Sequence, residues 1–223
     1  MDIDYAITRR PRRKTVSIII RSDNRVDVLA PSLMPAYLIH RFVKEKQAWI
    51  QKKLQFNTDV RSGYQPKTFT TGESFELIGR TYQLQITELN TTIHIADNQL
   101  IAPDQPPEKL KKSLITWYRQ QADQHFQLRC QHFATAIAVT PASIGVKAYK
   151  SRWGSCHHDG RIYFNWRLIM APTWISDYVI VHELCHLIHH NHSKLFWHTV
   201  EQTMPDYREA KLWLKTNGLL LDL

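Results

Sequence analysis

Residues 179–198 read VIVHELCHLIHHNHSKLFWH, and this stretch constrains the fold more than any other. An α-helix turns about 100° per residue, so His182 and His186 share one face, one turn apart, with Glu183 beside them. Ile180, Leu184, Leu187 and Ile188 form an apolar stripe facing the other way, which is expected to anchor the helix in a core. From Val179 to Ile188 the one formal charge is Glu183. A carboxylate in so apolar a run needs a partner, and a metal-activated water supplies one. Two histidines at i and i+4 can meet one ion at the roughly 2.0–2.1 Å of Zn–N bonds, with the glutamate as proton acceptor rather than ligand.

A zinc ion that does chemistry takes three protein ligands and leaves a fourth position open. His190 continues the i, i+4 series, but on a straight helix it lies about 12 Å along the axis from His182, with His186 between them. His192 reaches the ion if the helix stops and the chain turns back. Asn191 is the expected stop, because asparagine tolerates the left-handed conformation that ends helices. Ser193 is then expected to cap a new helix beginning KLFW. Glu201 and Glu209, further along, are the alternative third ligands; His192 is favoured. His189 and His190 fall to the surface or behind the ligands, and Cys185 points off the ligand face into the core. Tyr207 is a weaker candidate as an electrophile.

The remaining chain reads as α+β. TVSIII (15–20) and RVDVLAP (25–31) flank the turn cluster Ser22-Asp23-Asn24, a hairpin pattern. Pro35 opens a helix whose apolar positions, Leu38, Ile39, Phe42, Val43, Trp49, Ile50 and Leu54, predict one continuous stripe. The polar stretch 57–67 is an internal joint, and SFELIGRTYQLQIT and TTIHIADNQLIA predict a strand-rich meander. Residues 107–137 form a long helical pattern bounded by Pro106-Pro107 and Pro141. Next, IGVKAYK and RIYFNW bracket Asp159-Gly160, a dipeptide suited to a type I′ turn. The expected domains are a strand-rich region at 1–104 and, at 105–223, a second half holding that hairpin and the His182 helix.

Charge and cysteine content limit the setting. The chain has a formal net charge of +9, densest in RRPRRK at 9–14, which favours anionic partners and keeps nucleic acid a candidate. No recognition module supports the latter. Three cysteines without CxxC spacing argue against a disulfide framework or a thiolate zinc site. No apolar run reaches the roughly 18–20 residues that span a bilayer, and MDIDYAITRRPRRK does not read as a secretory signal. A cytoplasmic protein with no membrane partner is the expectation.

RWGSC at 152–156 precedes the Asp159-Gly160 turn. Arg152 and Trp153 are candidate substrate contacts, the guanidinium for an anionic group or a developing oxyanion; the competing reading is a strand end where Trp153 packs and Gly154 bends. RWGSC, NWRL with Pro172, the VVHELCHL-like run and NHSKLFW together resemble the YgjP-like metal-dependent hydrolase family, related to SprT-type zinc peptidases. The resemblance covers nearly the whole chain and carries the pattern HExxH-x5-H onto His182, Glu183, His186 and His192. It implies a zincin-like second half and a Zn²⁺-dependent, metallopeptidase-like hydrolase acting on peptides, with Glu183 as general base. It also implies two alternatives on the same metal site: a nucleoside triphosphate (UTP-type) pyrophosphatase, and a DNA-associated SprT-like protease. Against the first, the chain has no Gly-rich phosphate loop and no acidic cluster for Mg²⁺.

Overall fold

The computed structural model describes residues 3–21, 23–62 and 65–223. They fall into two compact units divided between residues 64 and 65, each with its own apolar core. That division lies inside the polar stretch 57–67 and ahead of the expected boundary after residue 104. The reason is packing. Phe75, Leu84 and Leu100 belong to the same core as Leu110, Leu114 and Tyr118, and the Tyr118 hydroxyl donates to the Glu76 carbonyl at 2.9 Å.

In the first unit, strands β1 (Ala6–Arg10), β2 (Ser17–Ile20) and β3 (Val26–Pro31) form a sheet in the order β1-β3-β2. β2 and β3 are the expected antiparallel hairpin, and β1 runs parallel to β3. Asn24 takes φ 65° in the hairpin turn; Ser22 lies outside the described residues. Period-two alternation puts Val26, Val28 and Ala30 on one face, where they are buried with Ile39, Val43 and Ile50 of helices α1 (Ala36–Glu45) and α2 (Gln47–Arg61). The expected single helix is therefore two. At Lys46 (φ −96°, ψ 4°) the N–H is shared between the Phe42 and Val43 carbonyls. Trp49 is 52% exposed, because on α2 it stands about 100° around the helix from the buried Ile50.

The second unit opens with β4 (Ser74–Leu77), β5 (Arg80–Thr87), β6 (His94–Ala96) and β7 (Gln99–Pro103), in the order β4-β5-β7-β6. A meander would place β6 beside β5. Instead β7 pairs with β5 in parallel, and β6 folds back on β7 through Asp97-Asn98, both at positive φ as a type I′ turn requires. Helix α3 (Pro107–Ile137) keeps its expected limits: Pro107 stands in its first turn, and Ala138 ends it in the left-handed conformation. Strands β8 (Ser143–Lys147), β9 (Gly154–Cys156) and β10 (Arg161–Asn165) form a third sheet, with β10 central between parallel β8 and antiparallel β9. In the β9–β10 turn Gly160 has φ 80° while Asp159 does not turn positive. With the Gly160 N–H on the His157 carbonyl, this is a type I turn closed by a glycine bulge rather than type I′.

A 3₁₀ turn at Trp166–Met170 leads to α4 (Thr173–Cys185), then α5 (Lys194–Thr203) and α6 (Tyr207–Asn217). α4 is buried on nearly every side, from Ile175 through Val181 and again at Leu184 and Cys185, rather than on the one stripe expected. Arg129 of α3 grips Asp177 of α4 through two hydrogen bonds of 2.7 Å. Among the described residues no helix is long and apolar enough to cross a membrane.

Candidate metal centre

α4 ends at Cys185, earlier than the stop expected at Asn191. His186 caps it, and Leu187 and Ile188 donate to the carbonyls of Leu184 and Cys185, tightening the last turn to 3₁₀ spacing. Ile188 therefore leaves the stripe and is 47% exposed. Asn191 acts one step later: its side-chain oxygen accepts from the Ser193 N–H at 3.2 Å. Ser193 in turn accepts from the Phe196 N–H and starts α5, the expected cap. His192 sits between these two local devices and returns over the end of α4.

The three imidazoles converge. Their nitrogens lie within 4.8 Å of one another, and His182 Nε2 stands 3.1 Å from His192 Nε2. Two ligands about 2.0–2.1 Å from one tetrahedral ion sit about 3.3–3.4 Å apart, so the spacing fits a shared ion. His186 Nδ1 is 2.9 Å from the His189 carbonyl; donation there leaves the Nε2 lone pair free for a metal. His182 is oriented by packing instead, against Tyr178 and Phe196, and its Nδ1 is buried without a partner. Burial first, then His186, His192 and Lys211, push the His182 pKa down to about 3. Burial likewise lowers His186. Neutral imidazole is the form that ligates, so an all-nitrogen set of this kind suits zinc.

Glu183 is 6% exposed and is not one of the converging donors. Burial lifts its carboxyl to about 7, opposed by a hydrogen bond from the Cys156 N–H and by the Arg152 charge. A Cβ added at Gly154 would lie 2.6 Å from Glu183 Cγ and Oε1. The glycine of RWGSC is thus a close-approach position for the β9 backbone, a role that neither sequence reading of that motif contained. Glu201 is paired with Arg208 at 2.7 Å, and neither Glu201 nor Glu209 joins the cluster. His190 rests beside His158, with ring centroids 5.4 Å apart.

A cleft of about 660 Å³ opens over the histidines, and Arg152 and Trp153 line it. Trp153 also packs against Gly218, the packing role expected of it at a strand end. Tyr178 and Lys211 line the cleft too, and sequence reasoning missed both. Tyr178 lies one turn before His182, a spacing that could have found it; Lys211 comes from a distant helix with no such signal. Burial holds the Tyr178 phenol up at about 12. Tyr207 is outside the cleft lining, stacked on Trp197 at 5.2 Å. β9 is an edge strand: β10 pairs with one side, and its residues line the cleft.

Comparison with known proteins bears on this arrangement. The family described as YgjP-like, metallopeptidase domain, matches residues 14–217. No curated protein sequence matches the chain. Among solved structures, the crystal structure of the metallopeptidase zymogen of Pyrococcus abyssi abylysin is similar at 19% identity, over 40% of this chain and 93% of that one, with a TM-score of 0.37.

Proposed function

Because this chain belongs to the YgjP-like metallopeptidase-domain family, we propose that it is a zinc-dependent peptidase in which His182, His186 and His192 hold the ion and Glu183 is the general base. The observation that carries this reading is the meeting of three imidazoles at the end of α4 beside one buried carboxylate. When bound, the ion would polarise a scissile carbonyl and lower the pKa of a water at its open position towards about 7. Glu183, with a carboxyl near 7, is matched to take a proton from the attacking water and return it to the leaving amine. The Gly154 backbone confines that carboxylate, and the Cys156 N–H orients it. Tyr178 stays protonated near neutral pH and offers its hydroxyl as a donor to charge developing on the substrate oxygen. The side of β9 away from β10 borders the cleft and suits an extended peptide laid alongside it, apart from the Cys156 N–H, which Glu183 takes.

Full-length protein loaded with zinc, assayed by elemental analysis and against peptide libraries, tests the assignment. Glu183→Gln should retain the metal while turnover falls about 10²- to 10⁴-fold. A variant that keeps wild-type turnover rules out the base. The nucleotide reading is less well supported. The converging donors are three imidazoles, which suit a borderline ion such as zinc, whereas Mg²⁺ at a triphosphate takes oxygen ligands. Association with a polyanion is a separate reading favoured by charge: residues 1–64 carry thirteen Lys and Arg against six Asp and Glu.

A further inference from the structure

The cleft carries a charge pattern that water activation does not require. Arg152 enters it from the segment before β9, and Lys211 and Lys215 enter from α6. The two lysines are four residues apart and so share one helix face. Among the described residues, none of the three cations has a carboxylate partner. Aromatic rings steer two of them instead. The Arg152 guanidinium lies 5.7 Å from the centre of the Tyr149 ring, and the Lys211 ammonium lies 4.7 Å from that of Trp197. Trp197 itself stacks on His192 at 5.6 Å, which keeps the Lys211 charge close to the three histidines. His182 feels the charge of Lys211, and Glu183 feels that of Arg152.

Three cations that line one cleft without carboxylate partners give it a positive potential that favours an anionic group. We propose that Arg152, Lys211 and Lys215 form a subsite for a substrate carboxylate, either a peptide's terminal carboxylate or an acidic side chain near the scissile bond. The proposal rests on the peptidase reading and names its substrate class. Carboxylate is favoured over triphosphate because no acidic cluster accompanies the cations to hold a counter-metal. Guanidinium and ammonium groups are donors from which a carboxylate accepts charge-assisted hydrogen bonds.

Binding by the full-length, zinc-loaded Glu183→Gln variant separates this idea from turnover. The probes are a short alanine peptide as the free acid, the same peptide as its amide, an amide carrying one glutamate, and UTP, each measured by calorimetry. The free acid or the glutamyl amide should bind about tenfold more tightly than the plain amide, and which one gains identifies the source of the carboxylate. Adding Lys211→Met and Lys215→Met should shrink that gain to about threefold or less. Lys211→Glu with Lys215→Glu, checked for folding by circular dichroism, should reverse it, so that the plain amide binds more tightly than the free acid and the glutamyl amide. Equal binding of all three peptides, a preference that survives charge reversal, or tight UTP binding without carboxylate discrimination would overturn the proposal. Discrimination without any peptide cleavage by the wild-type protein would remove the peptidase reading and leave the subsite. Cleavage without discrimination would remove the subsite alone.

Discussion

Glu183 has no free volume on its β9 side. The Gly154 backbone passes so close that one added methyl would lie 2.6 Å from the carboxylate's Cγ and Oε1. Gly154→Ala must therefore displace either the strand or the carboxylate. Overpacking of this kind costs about 1–3 kcal/mol, and a base moved by about 1 Å loses roughly 100-fold in rate. Thermal melts and kcat measured side by side should show a small loss of stability with a large loss of turnover; unchanged kcat would mean that the carboxylate has room. Burial of Glu183 also predicts a pH dependence. Its folded pKa, about 7, lies above the ordinary value of 4.5, so between these limits the folded chain binds more protons than the unfolded one. Stability from this group is therefore present below about pH 4.5 and lost as pH rises through 7. Metal-stripped wild type should lose stability relative to Glu183→Gln across that window, because the histidine contributions cancel in the comparison. Denaturant midpoints against pH would show parallel curves if the carboxyl were solvated.

α4 is held in place by a contact that no local pattern announces. Asp177 is buried, five residues before His182, and its partner Arg129 is 48 residues away on α3. Asp177→Ala removes two charge-assisted hydrogen bonds from a half-buried guanidinium, so it should cost about 1.5–3 kcal/mol. Urea denaturation should record that loss as a lower midpoint with an unchanged slope; a change within about 0.5 kcal/mol would mean that the pair is solvated. The elements legible in the sequence are those written in local terms. Pro107 and the apolar period gave the start and course of α3, and Ser193 gave the cap of α5. The HExxH spacing gave two converging imidazoles, and a chain reversal was needed for the third. What the sequence concealed depends on partners far along the chain: β7 inserted between β5 and β6, burial of α4 on nearly all sides, and Lys211 arriving from α6. The early end of α4 belongs with these, since its last turn tightens at Leu187 and Ile188, before Asn191.

The division of the whole chain after residue 64 shows the same limit, because a polar stretch marks a joint but does not say which core the next strands join. Charge follows the same division. The first 64 residues hold a net +7 of the chain's +9. Not all of that charge is available: Arg9 is engaged by the carbonyls of Ser32 and Met34, and Arg13 by Thr15 and Ser17. Arg9 and Arg10 also lie within β1 rather than on an approach to it. Arg10, Arg12 and Lys14 remain exposed, on or just beyond a strand that, among the described residues, lies at the edge of its sheet beside β3. Cations at fixed, solvent-facing positions attract a phosphate backbone without reading its bases, and each phosphate they neutralise releases counterions. The full-length protein should therefore bind duplex DNA in about 50 mM salt and release it by about 200 mM, whatever the sequence. Changing Arg10, Arg12 and Lys14 together to serine should flatten the plot of log K against log salt by roughly 0.9 for each phosphate no longer neutralised. Fluorescence anisotropy with two unrelated duplexes measures both quantities. A slope unmoved by the triple change would assign the attraction to other cations, and no binding at low salt would mean that this charge serves only to keep the unit solvated.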